Sequence, residues 1–355
     1  MFEFRCVCLR LLGLAIVSTS FLTLPARAGW AVVKPGVSDE AAKGCNSSEP
    51  ASYPKTSISN GQVNAVVYLP DAKTGYYRGT RFDWSGVVGC LAYKGHNYFG
   101  VWFPKYDPYL NDAISGPVED FRSADAESSL GYDQAKPGDP FVKLGVGVLR
   151  RVDDKPYAFS TTYPMIDPGK WTVHTGPASV AFQQTLKSPI GIAYVYKKTL
   201  KLDPREPVLI IQHELKNTGT ETIEMQVYNH DFYVLDNAPT GSEMVVRFPF
   251  APEPKEPLTN GARIDGKELV YDRELQTGEF VYTHFSGFSS AVSDFDFSFE
   301  NRKTGVGVEE TGDLPLSRVV FWSIRTTICP EAYVHLKIAP GETAHWSIRF
   351  RFYAK

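Results

Sequence analysis

The 355-residue sequence has few cysteines, no Cys-x-x-Cys pair, almost no helical periodicity and no excess of positive charge. Without paired cysteines, a structural zinc site or a thioredoxin-like redox site is excluded. The formal charge of −3 leaves no basic face for nucleic acid. The glycine pairs in "GVGVLRR" (145–151) and "GVGVEE" (305–310) lack the full spacing and following helix of a phosphate-binding loop, and "HEL" (213–215) lacks the second histidine of a zinc-protease motif. His213 reads instead as one residue of an alternating strand.

Only one apolar run is long, Leu11 to Leu24, and Ser18, Thr19, Ser20 and Thr23 interrupt it. Arg5 and Arg10 precede it and Ala26-Arg27-Ala28 follows, the pattern of a secretory leader cleaved after Ala28. The expectation is an exported chain, periplasmic or secreted, with no stable membrane insertion after cleavage and no lipid anchor. Removing residues 1–28 takes away Arg5, Arg10 and Arg27 against Glu3 and makes the remainder more acidic. It also removes Cys6 and Cys8 and leaves Cys45, Cys90 and Cys329, enough for one disulfide whose pairing spacing does not choose.

What is abundant is short alternation of apolar and polar residues between Gly, Pro, Asn and Asp. In "AHWSIRFRFY", Trp346, Ile348, Phe350 and Phe352 fall on one face and Ser347, Arg349 and Arg351 on the other, as a half-buried strand requires. "KELVYD", "EPVLIIQHELKN", "GIAYVYKKTLKL" and "IEMQVYNHDFYVL" follow the same rule. The expected organisation is a leader (1–28), an irregular lead-in (29–60) and one all-β domain (61–355), a large antiparallel β-sandwich with little helix. A long surface loop is expected around the prolines at 249, 252, 254 and 257.

Two stretches carry polar groups that a packing strand does not need. In "QVYNHDFYVLD" (226–236), Asn229, His230 and Asp231 interrupt an aromatic run; in "ICPEAYVHLKIAPGETAHWSIRFRF", a Cys-Pro-Glu strand leads through a Pro-Gly-Glu turn into the final strand. In this order and β context they resemble the galactose mutarotase-like superfamily of aldose 1-epimerases, which implies a sandwich fold, a bound sugar and no metal or organic cofactor. The resemblance implies that His230 is the catalytic acid, with Asn229 in its motif, and that Glu331 is the catalytic base. It covers the second half of the chain in recognisable motifs and the first half in general character. For the arginine that such proteins use to hold substrate, the nearest residues are Arg81 and Arg122; their early histidine has no counterpart with matching flanks, although His96 and His284 are present.

The chemistry suits these residue types. Interconverting the anomers of a pyranose removes a proton from the anomeric hydroxyl and adds one to the ring oxygen, so one base and one acid suffice. In "GYYRGTRFDWSG" (75–86), Arg81 and Asp83 share one side of an extended segment and can grip hydroxyls, while Trp84 offers a flat face to the ring. Asn229 and Asp231 fall on the side of an extended strand opposite His230, so no Asn-His-Asp triad is expected. Tyr163, Trp171 and Tyr333 read as core. The candidate partner is a sugar, oligosaccharide or polysaccharide, with a non-catalytic carbohydrate-binding protein and a polysaccharide lyase or hydrolase as the competing readings; sequence leaves the oligomeric state open.

Overall fold

The computed structural model describes residues 53–355, so the leader and most of the lead-in lie outside the described residues. A first strand, Lys55–Ser59, already occupies the end of the stretch expected to be irregular. Among the described residues every strand pairing is antiparallel, and the one regular helical piece is the single 3₁₀ turn Val292–Asp294. No helix among the described residues is long and apolar enough to cross a membrane.

Two large sheets form the architecture. A ten-stranded sheet has the final strand Thr343–Ala354 at its middle, hydrogen-bonded to Val208–Asn217 and Val306–Gly312. A six-stranded sheet runs in the order Glu253–Pro254, Phe280–Ser286, Arg318–Ile324, Thr327–Ile338, Ile223–His230 and Val118–Ser123. Smaller sheets of four and three strands complete the fold. The expected alternation holds in the final strand, where Trp346, Ile348, Phe350 and Phe352 are buried and Arg349 and Arg351 exposed.

One large apolar cluster joins the sheets, with Ile211, Phe350 and Val308 from the larger and Val227, Phe321 and Val334 from the smaller. Burying such side chains is the dominant favourable term in folding. Successive strand residues face opposite ways, so burial of this odd-numbered row on the Arg318–Ile324 and Ile223–His230 strands turns the even-numbered row outward. That outward face of the six-stranded sheet carries the polar cavity described next. The loop expected around Pro249 to Pro257 is present, tied to the sheet by the two-residue strand Glu253–Pro254 and by hydrogen bonds of Glu256 to Thr283 and His284.

Candidate functional site

The cavity has a volume of about 670 Å³. Its floor is built from alternate residues of adjacent strands: Tyr228 and His230, then Glu331 and Tyr333, then Val320 and Trp322, with Tyr282 and His284 beyond. Loops supply the remaining walls, including Arg81, Trp102 and Phe159.

His230 and Glu331, quoted from separate parts of the sequence, meet here. His230 Nε2 lies 3.4 Å from Glu331 Oε1, and the hydroxyl of Tyr333 donates to Glu331 Oε2 at 3.1 Å. His230 Nδ1 is buried without a hydrogen-bond partner, so ring packing orients the imidazole. Its ring stacks on Phe232 with centroids 3.7 Å apart, Phe232 stacks on Trp102, and the Trp322 ring meets His230 edge-on. The stack requires Phe232 to adopt a left-handed backbone (φ 46°), which costs a non-glycine residue roughly 1 kcal/mol.

Beneath the pair is an ion cluster centred on Asp120. Its Oδ2 accepts from Arg122 Nε at 2.9 Å, Arg81 Nε at 3.3 Å and the Tyr228 hydroxyl at 3.1 Å, and its Oδ1 from Lys143 Nζ at 2.5 Å. Burial by itself would raise the Asp120 pKa, but Arg122, Lys143 and Arg81 outweigh it and hold the carboxyl well below its usual range. Arg81 is fully engaged, reaching Asp112 at 2.5 Å and the Tyr228 hydroxyl at 3.1 Å.

These surroundings set the protonation of the pair. Burial, reinforced by Arg81, pushes His230 well below its ordinary value, with Asp120 opposing only in part. Burial raises Glu331 to about 7, against the pull of Arg81 and the Tyr333 hydrogen bond. Below about pH 7 the proton of the pair therefore rests on Glu331 and His230 is neutral, the reverse of the state expected from the sequence.

Of the other predicted residues, Arg81, Arg122 and His284 line the cavity. His284 sits at its edge, with Nδ1 3.0 Å from Glu256 Oε1. Asp83, Trp84 and Asn229 do not line it. Residues 81–84 are loop rather than extended strand, so alternation fails there. Asp83 instead points inward, where it accepts from Tyr196 and Ser85 and lies 3.5 Å from Lys198 Nζ, and the Trp84 indole donates to the Gly79 carbonyl. Asn229 faces the sandwich interior with both amide atoms unpartnered.

Asp120, Tyr228 and Lys143 were not singled out from the sequence. In "VEDFRS" the two-residue spacing of Asp120 and Arg122 was the available signal, since it puts both on one strand face. Tyr333, read as core, shares the parity of Glu331 and lines the cavity, whereas Tyr163 is buried and Trp171 half-buried elsewhere. Glu119 faces the other way, where Lys198 and His213 hold it; burial would raise its pKa, and the Lys198 charge together with the His213 hydrogen bond brings it down to about 2.

His230, Cys329 and Glu331 place a ring nitrogen, a thiol and a carboxylate oxygen within 4.8 Å of one another. This set suits a cation poorly, because burial drives the Cys329 thiol well up from its ordinary pKa and three guanidiniums, those of Arg81, Arg122 and Arg318, line the same cavity. Cys329 is free and buried, while Cys90 is disulfide-bonded.

No family model and no curated protein sequence matches the chain. Solved structures do resemble it. A candidate aldose 1-epimerase from Escherichia coli K12 shares 12% identity at a TM-score of 0.53, covering 85% of this chain and 99% of that one. A galactose mutarotase-like protein from Clostridium acetobutylicum shares 14% at 0.51, covering 84% and 95%, and the Slr1438 protein from Synechocystis sp. PCC 6803 shares 13% at 0.52, covering 86% and 99%. At these identities the likeness shows the fold alone: the chain has the antiparallel β-sandwich architecture of these structures.

Proposed function

We propose that the cavity binds a sugar and catalyses exchange between its anomers. The observation that carries this reading is the buried His230–Glu331 pair, one proton between them, on the floor of a cavity with both polar and aromatic walls. Glu331, protonated, delivers its proton to the ring oxygen while neutral His230 takes the proton of the anomeric hydroxyl. Ring opening leaves a carboxylate and an imidazolium. After the carbonyl turns, the imidazolium returns its proton to the carbonyl oxygen and the carboxylate takes the proton of the ring-forming hydroxyl, which restores the starting state. Trp322 and Phe159 offer flat faces to the sugar, and Arg81 and Asp120 hold the charges around the pair in place.

The direct test is two-dimensional exchange spectroscopy on the purified protein with several aldoses. Anomer exchange above the buffer rate, lost in Glu331→Gln, supports the reading; no exchange with any aldose that binds turns it towards a non-catalytic carbohydrate-binding protein.

A second cavity of about 530 Å³ shares Glu127, His284 and Arg318 with the first, which favours a longer ligand and keeps an oligosaccharide or polysaccharide substrate in play. New reducing or unsaturated ends appearing from a polymer, with no exchange on monosaccharides, identify that case. Export is part of the proposal: the leader pattern and the disulfide at Cys90 both suit an oxidising compartment.

A further inference from the structure

Arg122 is nine-tenths buried, and only its Nε has a hydrogen-bond partner, Asp120. Its two terminal nitrogens have none among the described residues, although the side chain lines the cavity. Arg81, by contrast, spends all three nitrogens on Asp120, Asp112 and Tyr228, and Lys143 donates to Asp120 and the Phe121 carbonyl. The rings of Phe159 and Tyr157 lie 5.4 and 5.9 Å from the Arg122 guanidinium carbon and limit where it can move.

The charges tell the same story. Arg81, Arg122 and Lys143 surround two carboxylates, Asp120 and Asp112, and Glu331 adds no negative charge while it keeps its proton. Below about pH 7 the cluster thus carries one more positive charge than negative, and the excess sits beside the cavity. The unspent part of that charge is a planar fork aimed into the cavity, the geometry that matches a carboxylate or phosphate through two parallel hydrogen bonds.

We propose that the sugar taken by this cavity carries an anionic substituent, a carboxylate or a phosphate, held by the terminal nitrogens of Arg122. This rests on the sugar-binding reading above and names its substrate class. The anion and the reacting centre belong to one molecule, because Arg122, His230 and Glu331 line the same cavity. An acidic sugar completes the charge balance that the protein leaves open, whereas a neutral one does not.

The test compares dissociation constants of the whole protein for glucose, glucuronate and glucose 6-phosphate, by calorimetry at fixed ionic strength. The expected result is that one anionic sugar binds at least about tenfold more tightly than glucose, as a charge-assisted pair implies, and the tighter of the two identifies the group. Arg122→Gln, its fold checked by circular dichroism, is expected to bring that sugar down to the glucose level, and Arg122→Lys to recover only part of the preference. Equal binding of all three sugars by the wild-type protein, or a preference that survives in folded Arg122→Gln, overturns the inference and leaves the sugar reading standing. Binding of none of the three overturns both.

Discussion

His230 Nε2 stands 3.4 Å from Glu331 Oε1, although the two residues are a hundred positions apart and lie on separate strands of one sheet. Both side chains are buried and both line the floor of the cavity. Loss of either member removes the pair as a unit. Glu331→Gln and His230→Asn are each expected to slow anomer exchange by about 10²–10⁴-fold, and the double variant to be little slower than either single one. Rates from exchange spectroscopy on the three variants check this; additive losses would show that the residues act separately.

The pair is active when it holds one proton, whichever member carries it. The rate is therefore expected to fall as pH rises through about 7, where Glu331 ionises. Glu331→Gln flattens that limb along with lowering the rate. A rate that climbs through pH 7 would contradict the assignment.

Tyr333 tunes Glu331 without lying between it and His230. Its hydrogen bond favours the ionised carboxylate, so Tyr333→Phe is expected to move the alkaline limb to higher pH at a stability cost of about 1 kcal/mol. The pH profile separates this from a purely structural effect, which would lower the rate at every pH alike.

Asp120 anchors three cations, and its removal leaves Arg122 and Lys143 buried without a counter-charge and Arg81 with Asp112 alone. Asp120→Asn is expected to destabilise the protein by about 3–5 kcal/mol, read by urea denaturation, and to weaken sugar binding through displaced Arg81 and Arg122. Asp120 also sets an acid limit. Its pKa is depressed in the folded state, so its contribution is present above the ordinary carboxylate range and is lost as pH falls through the folded value.

Glu310 behaves in the opposite sense. Burial holds it at about 7 from an ordinary 4.5, so the native protein binds a proton that the unfolded chain releases between these values. Its contribution is full below about 4.5 and is lost as pH rises to about 7. Glu310→Gln is expected to weaken the pH dependence of stability in that window, measured by denaturant midpoints at pH 4.5 and 7.

The sheets were legible because alternation is local: the final strand announces its buried face through Trp346, Ile348, Phe350 and Phe352, and the same rule puts Asn229 on the side away from His230, against its place among the substrate-binding candidates. Arg81 to Trp84 misled because the same residue types sit in a loop, where neighbouring side chains follow no two-residue rule; Arg81 turned to the cavity and Asp83 to the interior. The proton's place could not be read from the strand containing His230, since it depends first on burial by loops and strands from elsewhere in the chain and then on the guanidiniums of Arg81 and Arg122.

The ring stack that orients His230 also gives the protein a light signal of its own. Trp102 lies on Phe232, which lies on the imidazole, and Trp322 meets that imidazole edge-on with centroids 5.4 Å apart. An imidazole that gains charge quenches a neighbouring indole, and a ligand seated beside Trp322 changes its solvent. Intrinsic fluorescence is thus expected to follow both occupancy and proton transfer in real time, without dye or label. Trp322→Phe and Trp102→Phe assign the signal, and a stopped-flow record of it would time the filling of the cavity against the chemistry that follows.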